Sequence, residues 1–311
     1  MSGLPPLVVV AGATATGKTE LAIRLAERFI AAGRPATIIS ADSRQVYRGL
    51  DIGTAKVDDA DRRRVPHEGL DLVDPDQRFT VSDFAAHAAA VLEAVGERGG
   101  VALLVGGTGL YLRAVARGLD LTAMPDDPRV RARLEAEFAA EGLEPLADRL
   151  RRTAPRLAAE VHLANPRRVI RALELAEIRG DGPRPRPRGY PGRSVWLGLT
   201  VEKPEHARRI GRRARAQFDA GLIDEAVSLR ERYDPMLPAF SAIGYHEAWS
   251  VADGTASLEE AIAVDARRNV AFAKRQATWF RAERDVTWLD ATDGLPVEGA
   301  LGAVGEVVDR A

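Results

Sequence analysis

Val8-Val9-Val10-Ala11-Gly12-Ala13-Thr14-Ala15-Thr16-Gly17-Lys18-Thr19, continuing through Leu21 and Leu25 to Phe29, decides how this chain folds. Three valines after Leu7 with no alternation of polar residues read as a short strand buried on both faces. Gly12 to Thr19 is a complete G-x-x-x-x-G-K-S/T match, and Leu21, Leu25 and Phe29 then recur at helical spacing. Strand, glycine loop and helix in that order form a nest of backbone N–H groups at a helix N-terminus, which takes phosphate oxygens. Gly12, Ala13, Thr14, Ala15, Thr16, Gly17, Lys18 and Thr19 are therefore the phosphate-binding residues, with Lys18 reaching a distal phosphate and the Thr19 hydroxyl on Mg²⁺. The motif says that a polyphosphate or diphosphate binds; it leaves the reaction open.

The 311 residues suffice for one large α/β core with a smaller second unit. A formal net charge of -1 excludes a uniformly basic nucleic-acid binder. The absence of cysteine excludes disulfides, cysteine nucleophiles and Cys-ligated zinc. No basic leader precedes an apolar run and no long apolar segment occurs, so the expectation is a cytoplasmic protein with no membrane partner and no obligate protein partner.

Ala36 to Ser40 reads as a second strand running into Asp42-Ser43-Arg44-Gln45. Groups just beyond the carboxyl ends of parallel strands share a crevice, so Asp42 belongs near the phosphate loop, either as a functional carboxylate or as a helix N-cap. His67 has no second histidine at ligand spacing. A helix over Phe79–Glu97 leads to a third buried strand, Val101–Val105. That strand ends in Gly106-Gly107-Thr108-Gly109 and not in the acidic residue a hydrolytic nucleotide-binding protein uses to hold Mg²⁺. The glycines allow close approach to a ligand, and Thr108 suits both a donor to a phosphate oxygen and an N-cap.

From Met124 the pattern becomes helical, with segments at Arg129–Ala140, 144–151, 155–161 and 166–179. Between Arg149 and Arg193 twelve arginines face Glu160, Glu174, Glu177 and Asp181, a local excess of eight positive charges. Such an excess points to an anionic partner larger than a nucleotide. Pro183 to Pro191, alternating proline and arginine, reads as an extended connector. Val195 to Thr200 resumes the sheet, so the helices are an insertion into the core. The expected division is core 1–123, insertion 124–193, core 194–293 and a tail 294–311 without assigned role. A following helix places Arg209 and Arg213 four residues apart, pointing two guanidinium groups the same way. A long helix, Ser257–Glu283, carries Arg267, Arg268, Lys274 and Arg275, and Asp285–Asp290 is the last strand.

The chain resembles the bacterial tRNA dimethylallyltransferases. The pieces that carry the resemblance are GATATGKT (12–19), ISADSRQVYRGLDIGTAK (39–56), LLVGGTGLY (103–111), NPRRVIRALEL (165–175), Arg209 to Gly221 with Glu225, AIGYHE (242–247) and AKRQATWFR (273–281). They span most of residues 8–290 in the family's order. Ala13 and Thr16 replace the family's usual Pro and Ser, Val57 its usual Pro, and Leu163-Ala164-Asn165 its usual Pro-Asn-Asp. The resemblance implies a P-loop kinase-like parallel sheet core with an all-helical insertion domain. It implies transfer of a dimethylallyl group from dimethylallyl diphosphate to N6 of adenosine 37, in tRNAs reading codons that begin with U. On this chain it implies Asp42 as base, and Thr108 and Arg209 on the diphosphate with Lys18, Thr19 and Mg²⁺. Its tRNA-contacting positions would be Asp42, Ser43, Arg44, Gln45, Thr108, Arg167, Arg168, Val169, Ile170, Arg171, Lys274 and Arg275, with the anticodon stem-loop as partner. The alternatives are an ATP-dependent phosphotransferase, a prenyltransferase acting on free AMP and an RNA-binding regulatory NTPase.

Overall fold

The computed structural model describes residues 3–121, 126–183 and 186–308. Its centre is β1 (Leu7–Gly12), every residue of which is buried. The chain continues through α1 (Lys18–Ala31), β2 (Ala36–Ser40), α2 (Asp59–Arg64), β3 (His67–Glu68), α3 (Val81–Glu97), β4 (Val101–Gly106) and α4 (Gly109–Ala116). Four helices follow: α5 (Pro128–Glu141), α6 (Leu143–Thr153), α7 (Pro155–Glu160) and α8 (Pro166–Arg179). The sheet resumes with β5 (Ser194–Thr200), then α9 (Lys203–Asp219), α10 (Leu222–Arg232), a 3₁₀ turn at Pro238–Ser241, α11 (Tyr245–Ala252), α12 (Leu258–Arg281), β6 (Val286–Asp290) and α13 (Val297–Val308).

The six strands lie in the order β3-β2-β4-β1-β5-β6, all parallel. In β1, Leu7, Val9 and Ala11 join the core beneath α3, α4 and α9 to α12, while Val8 and Val10 join the core beneath α1 and α13. Alternate residues go to opposite faces and both faces are covered by helices, which is why the strand needs apolar residues without alternation.

Two parts of the expected division change. The chain separates into two compact units, Gly118–Gly189 and everything else, so Tyr190 to Arg193 belong with the core; the expected break at 123–124 falls outside the described residues. Within Pro183–Pro191, Arg184 and Pro185 also lie outside them. The last segment is no mere tail. Ala300, Val304 and Val308 form a buried stripe at four-residue spacing that closes one face of the sheet, with residues 309–311 outside the description. No helix among the described residues is long and apolar enough to cross a membrane.

The insertion has its own core, built on Leu134, Leu146, Leu150, Leu157, Val169 and Leu173. Asp127 and Asn165 cap α5 and α8, accepting N–H bonds from Arg129 and Arg168 at 2.8 and 3.2 Å. Glu174 is 0 % exposed. Burial pushes its carboxyl upward, but Arg131 and Arg171, both at 2.7 Å, and the Asp127 N–H hold it below the ordinary range.

Candidate active site

The phosphate loop closes on itself. Lys18 Nζ and Thr16 Oγ1 both donate to the Ala13 carbonyl, at 2.6 and 2.9 Å. Gly17 holds φ at 92° and Ala15 at 60°, the left-handed turns that aim successive N–H groups into one concavity. Thr19 is exposed at the start of α1, as the motif requires of a hydroxyl that meets an ion.

Lys18 does not sit alone. Burial, and after it the nearby Arg213, lower its pKa to about 7, with Asp42 working against both. Arg213 comes from α9 and donates to the Thr54 carbonyl at 3.3 Å. Burial lowers its pKa too, with Asp42 and Asp265 opposing. Lys18, Arg213 and Asp42 thus share one electrostatic neighbourhood drawn from the start of α1, from α9 and from the turn after β2.

This corrects the expectation for Arg209. Its Nε donates to Glu205 Oε1 at 2.9 Å, and its Nη2 to the Ala291 and Thr292 carbonyls at 2.8 Å. Those partners tie α9 to the link between β6 and α13. The arginine in the field of Lys18 and Asp42 is Arg213, one turn later.

Asp42 lies two residues past β2 and no helix follows it, so the N-cap reading fails. Its Oδ1 accepts the Arg44 N–H at 2.8 Å in a local turn. Thr108 lies two residues past β4, and its side chain makes no cap bond to α4. Its Oγ1 accepts the Ser43 N–H at 3.1 Å instead, joining the ends of two adjacent strands. The glycines beside it serve the protein's own packing. A Cβ at Gly106 would lie 2.1 Å from the Ala41 carbonyl oxygen, and one at Gly109 would strike Trp279 at 2.4 Å.

The proposed tRNA contacts divide by burial. Lys274, Arg275, Arg167 and Arg168 are exposed. Val169 and Ile170 are buried in the insertion core, and Arg171 pairs with Glu174, so Val169 and Ile170 present no side chain to a partner. Arg44 donates to the Pro238 carbonyl at 2.8 Å. Gln45 accepts from Ser40 at 2.7 Å and donates to the Thr54 and Ala55 carbonyls at 3.1 Å, which makes it a brace of the loop behind Asp42. The local charge excess also shrinks: residues 118–189 hold 14 arginines against 12 acidic residues. Glu137 of α5 pairs with Arg149 and Arg133, and Glu177 of α8 with Arg133.

Several supporting residues lie in or beside the motif pieces but had no role assigned from the sequence. Glu225 accepts the N–H groups of Asp51, Ile52 and Gly53 at 3.2, 2.7 and 3.0 Å, and the Tyr245 hydroxyl at 2.8 Å. Lys56, its side chain 2 % exposed, reaches Asp51 at 2.7 Å and Asp71 at 2.5 Å. Together they cage residues 51–56, whose Thr54 carbonyl receives Arg213. Gln276 of α12 accepts the Thr14 N–H at 2.8 Å.

A family model described as IPP transferase matches residues 45–283, beginning after the phosphate loop. A tRNA dimethylallyltransferase of Pelotomaculum thermopropionicum is 42% identical over 294 residues, covering 91% of this chain and 90% of that protein. That of Halorhodospira halophila is 42% identical and covers 96% of this chain and 99% of its own. The chain belongs to the tRNA dimethylallyltransferase family. Among solved structures, a full-length tRNA isopentenylpyrophosphate transferase from Bacillus halodurans is similar with a TM-score of 0.71 at 39% identity, covering 98% of this chain and 97% of that one. A eukaryotic dimethylallyltransferase shares the fold at 22% identity, TM-score 0.74, covering 98% of this chain and 77% of its own. A tRNA dimethylallyltransferase needs cations for a departing diphosphate and an acceptor for an amine proton. Lys18, Arg213 and Asp42 are groups of those kinds.

Proposed function

We propose that this protein transfers the dimethylallyl group of dimethylallyl diphosphate to N6 of adenosine 37 in tRNAs reading codons that begin with U. The observation that carries the reading is the placement of Asp42 and Thr108, tied through Ser43 at the ends of two strands, beside the phosphate loop that follows the adjacent β1, with Lys18 and Arg213 in the same field. We read the core as the P-loop kinase type, because the phosphate loop leaves the central strand of a parallel sheet, β1, between β4 and β5.

The adenine nitrogen attacks the allylic C1, the C1–O bond breaks, and its electron pair leaves with the diphosphate. Lys18, Arg213 and the loop N–H groups take up the charge that develops on that oxygen. N6 becomes positive as it bonds to carbon, and its proton passes to Asp42; a neutral exocyclic amine is too weak an acid to give it up earlier. Thr108 holds Ser43, next to Asp42, against the end of β4. Adenosine 37 has to leave its stack to reach a half-buried carboxylate, and a single-stranded loop makes that inexpensive. The exposed cations Lys274 and Arg275 of the core and Arg167 and Arg168 of the insertion suit RNA phosphates.

Among the described residues no group of three or more acidic or histidine side chains is placed to hold a metal. One hydroxyl, Thr19, fits Mg²⁺, which takes few protein ligands and completes its shell with phosphate oxygens and water. Bound there, the ion would neutralise charge on the diphosphate.

The test is mass analysis of nucleosides from unmodified tRNA after incubation with the protein and dimethylallyl diphosphate. The expected product is adenosine heavier by one dimethylallyl group. Transfer of label from ATP to an acceptor, without that product, would establish the phosphotransferase instead.

A further inference from the structure

The ladder between β1 and β4 ends at Ala11↔Gly106. Beyond it, one strand becomes the phosphate loop with Lys18 and the other becomes the strap with Thr108. The two halves of the site therefore diverge where the sheet stops holding their register. Gln276 of α12 bridges that gap. Its Oε1 accepts the Thr14 N–H at 2.8 Å and its Nε2 donates to the Gly107 carbonyl at 3.0 Å. A primary amide has one acceptor and one donor end, which is what a backbone N–H on one loop and a C=O on the other require.

Two further observations place this side chain. It is 8 % exposed although Lys274 and Arg275 beside it face solvent, and both ends of its amide are engaged inside the protein. A Cβ at Gly107 would lie 2.2 Å from Gln276 Nε2, while the next non-glutamine atom, the Gly12 carbonyl oxygen, is 3.6 Å away. Gln276 therefore accounts for the missing side chain at 107. One turn back on α12, Ala273 packs with Ile210 against Ala13 of the phosphate loop, fixing the helix on that side.

We propose that Gln276 is a positioning residue for the transfer reaction: it extends the β1–β4 register past the sheet and sets the diphosphate cradle against Thr108 and Asp42. The proposal rests on the prenyl-transfer reading above. A helix that only packed over the loop would need no such amide. The bridge should act on the rate of the bound complex, because each loop can hold its own ligand while only their relative placement brings C1 to the amine. A displacement of about 1 Å between reacting groups costs on the order of 10²-fold in rate.

The experiment is a double-mutant cycle with Gln276→Ala, Gly107→Ala and both together, in the full-length protein. It measures single-turnover transfer at saturating tRNA and dimethylallyl diphosphate, with affinities for tRNA and a non-reactive diphosphate analogue. Each single variant is expected to slow transfer by about 10²-fold with both affinities retained, and the double variant to be no slower than Gln276→Ala. The methyl at 107 acts only by displacing Gln276, so it has nothing further to displace once the glutamine is gone. Independent, additive losses would overturn the proposal, as would Gln276→Ala transferring at the wild-type rate. A fall in tRNA affinity that accounts for the whole effect would do so too, making Gln276 a tRNA contact. Wild-type protein that prenylates no tRNA would instead overturn the functional reading, and this proposal with it.

Discussion

Diphosphate binding should draw a proton into the site. Lys18 titrates near 7 and not at its ordinary 10.5, because burial and then Arg213 disfavour its charge, with Asp42 restoring part. In the ligand-free protein at pH 7 about half the molecules therefore carry a neutral Lys18, and at pH 8 about nine in ten do. A bound diphosphate returns the lysine to ammonium. Uptake should then be about 0.5 proton per site at pH 7 and about 0.9 at pH 8, and above pH 7 the Kd should weaken by about tenfold per pH unit. Calorimetric titration of a non-reactive analogue at pH 8, where the diphosphate is already ionised, in buffers of different ionisation enthalpy reads the number directly. Lys18→Ala should abolish the uptake. Arg213→Ala removes a neighbouring positive charge, lets Lys18 charge more easily, and should reduce the uptake at pH 8. Asp42→Asn should increase it at pH 7. Equal binding heats in all buffers at pH 8 would refute the reasoning.

Three other outcomes follow from the same geometry. Arg213→Ala should weaken analogue binding by on the order of 10²-fold, as expected for a lost charge-assisted contact, whereas Arg209→Ala should chiefly lower the melting temperature; the reverse pattern in titration and thermal melts would restore Arg209 to the diphosphate. Replacing Arg167 and Arg168 together with alanine should reduce the slope of log tRNA affinity against log salt by about 1.5 while leaving analogue binding intact, and an unchanged slope would make these arginines ordinary solvated surface. Asp265 is buried and its pKa is raised to about 6 from 3.8, burial being the main cause. The folded protein thus binds more protons than the unfolded chain between those values, so this carboxylate costs stability that grows as pH rises from 4 to 6 and stays level above. Asp265→Asn should stabilise by up to about 2 to 3 kcal/mol at pH 8 and not at pH 4, and a loss of stability at pH 8 in denaturant titrations would contradict this.

The phosphate loop, the parallel strands and the helical insertion were legible because each rests on a local pattern: unalternating valines, a spaced glycine motif, a run of helical periods with proline and aspartate at the starts. Asp42 and Thr108 followed from their places past strand ends. What was not legible depends on partners far along the chain. Arg209 and Arg213 share a helix face, and only the folded structure shows that Glu205 and two carbonyls engage the first. Gln276 looks like any polar residue on an exposed helix until Thr14 and Gly107 close around it. The charge excess at 149–193 was an effect of where the window began, since Glu137, just upstream, neutralises Arg149. Glycines at 299, 302 and 305 hid the apolar stripe of α13.

The central claim is that Asp42 and the Lys18–Arg213 pair act on opposite ends of one reacting system. Single-turnover transfer from dimethylallyl diphosphate to tRNA by Asp42→Asn, at saturating diphosphate so that the weaker charging of Lys18 does not limit binding, tests it most directly, because the substitution keeps size and removes the proton acceptor. Transfer should slow by about 10² to 10⁴-fold with tRNA affinity largely kept. A near-normal rate would contradict the account and leave Asp42 as a turn-forming residue that caps the Arg44 N–H.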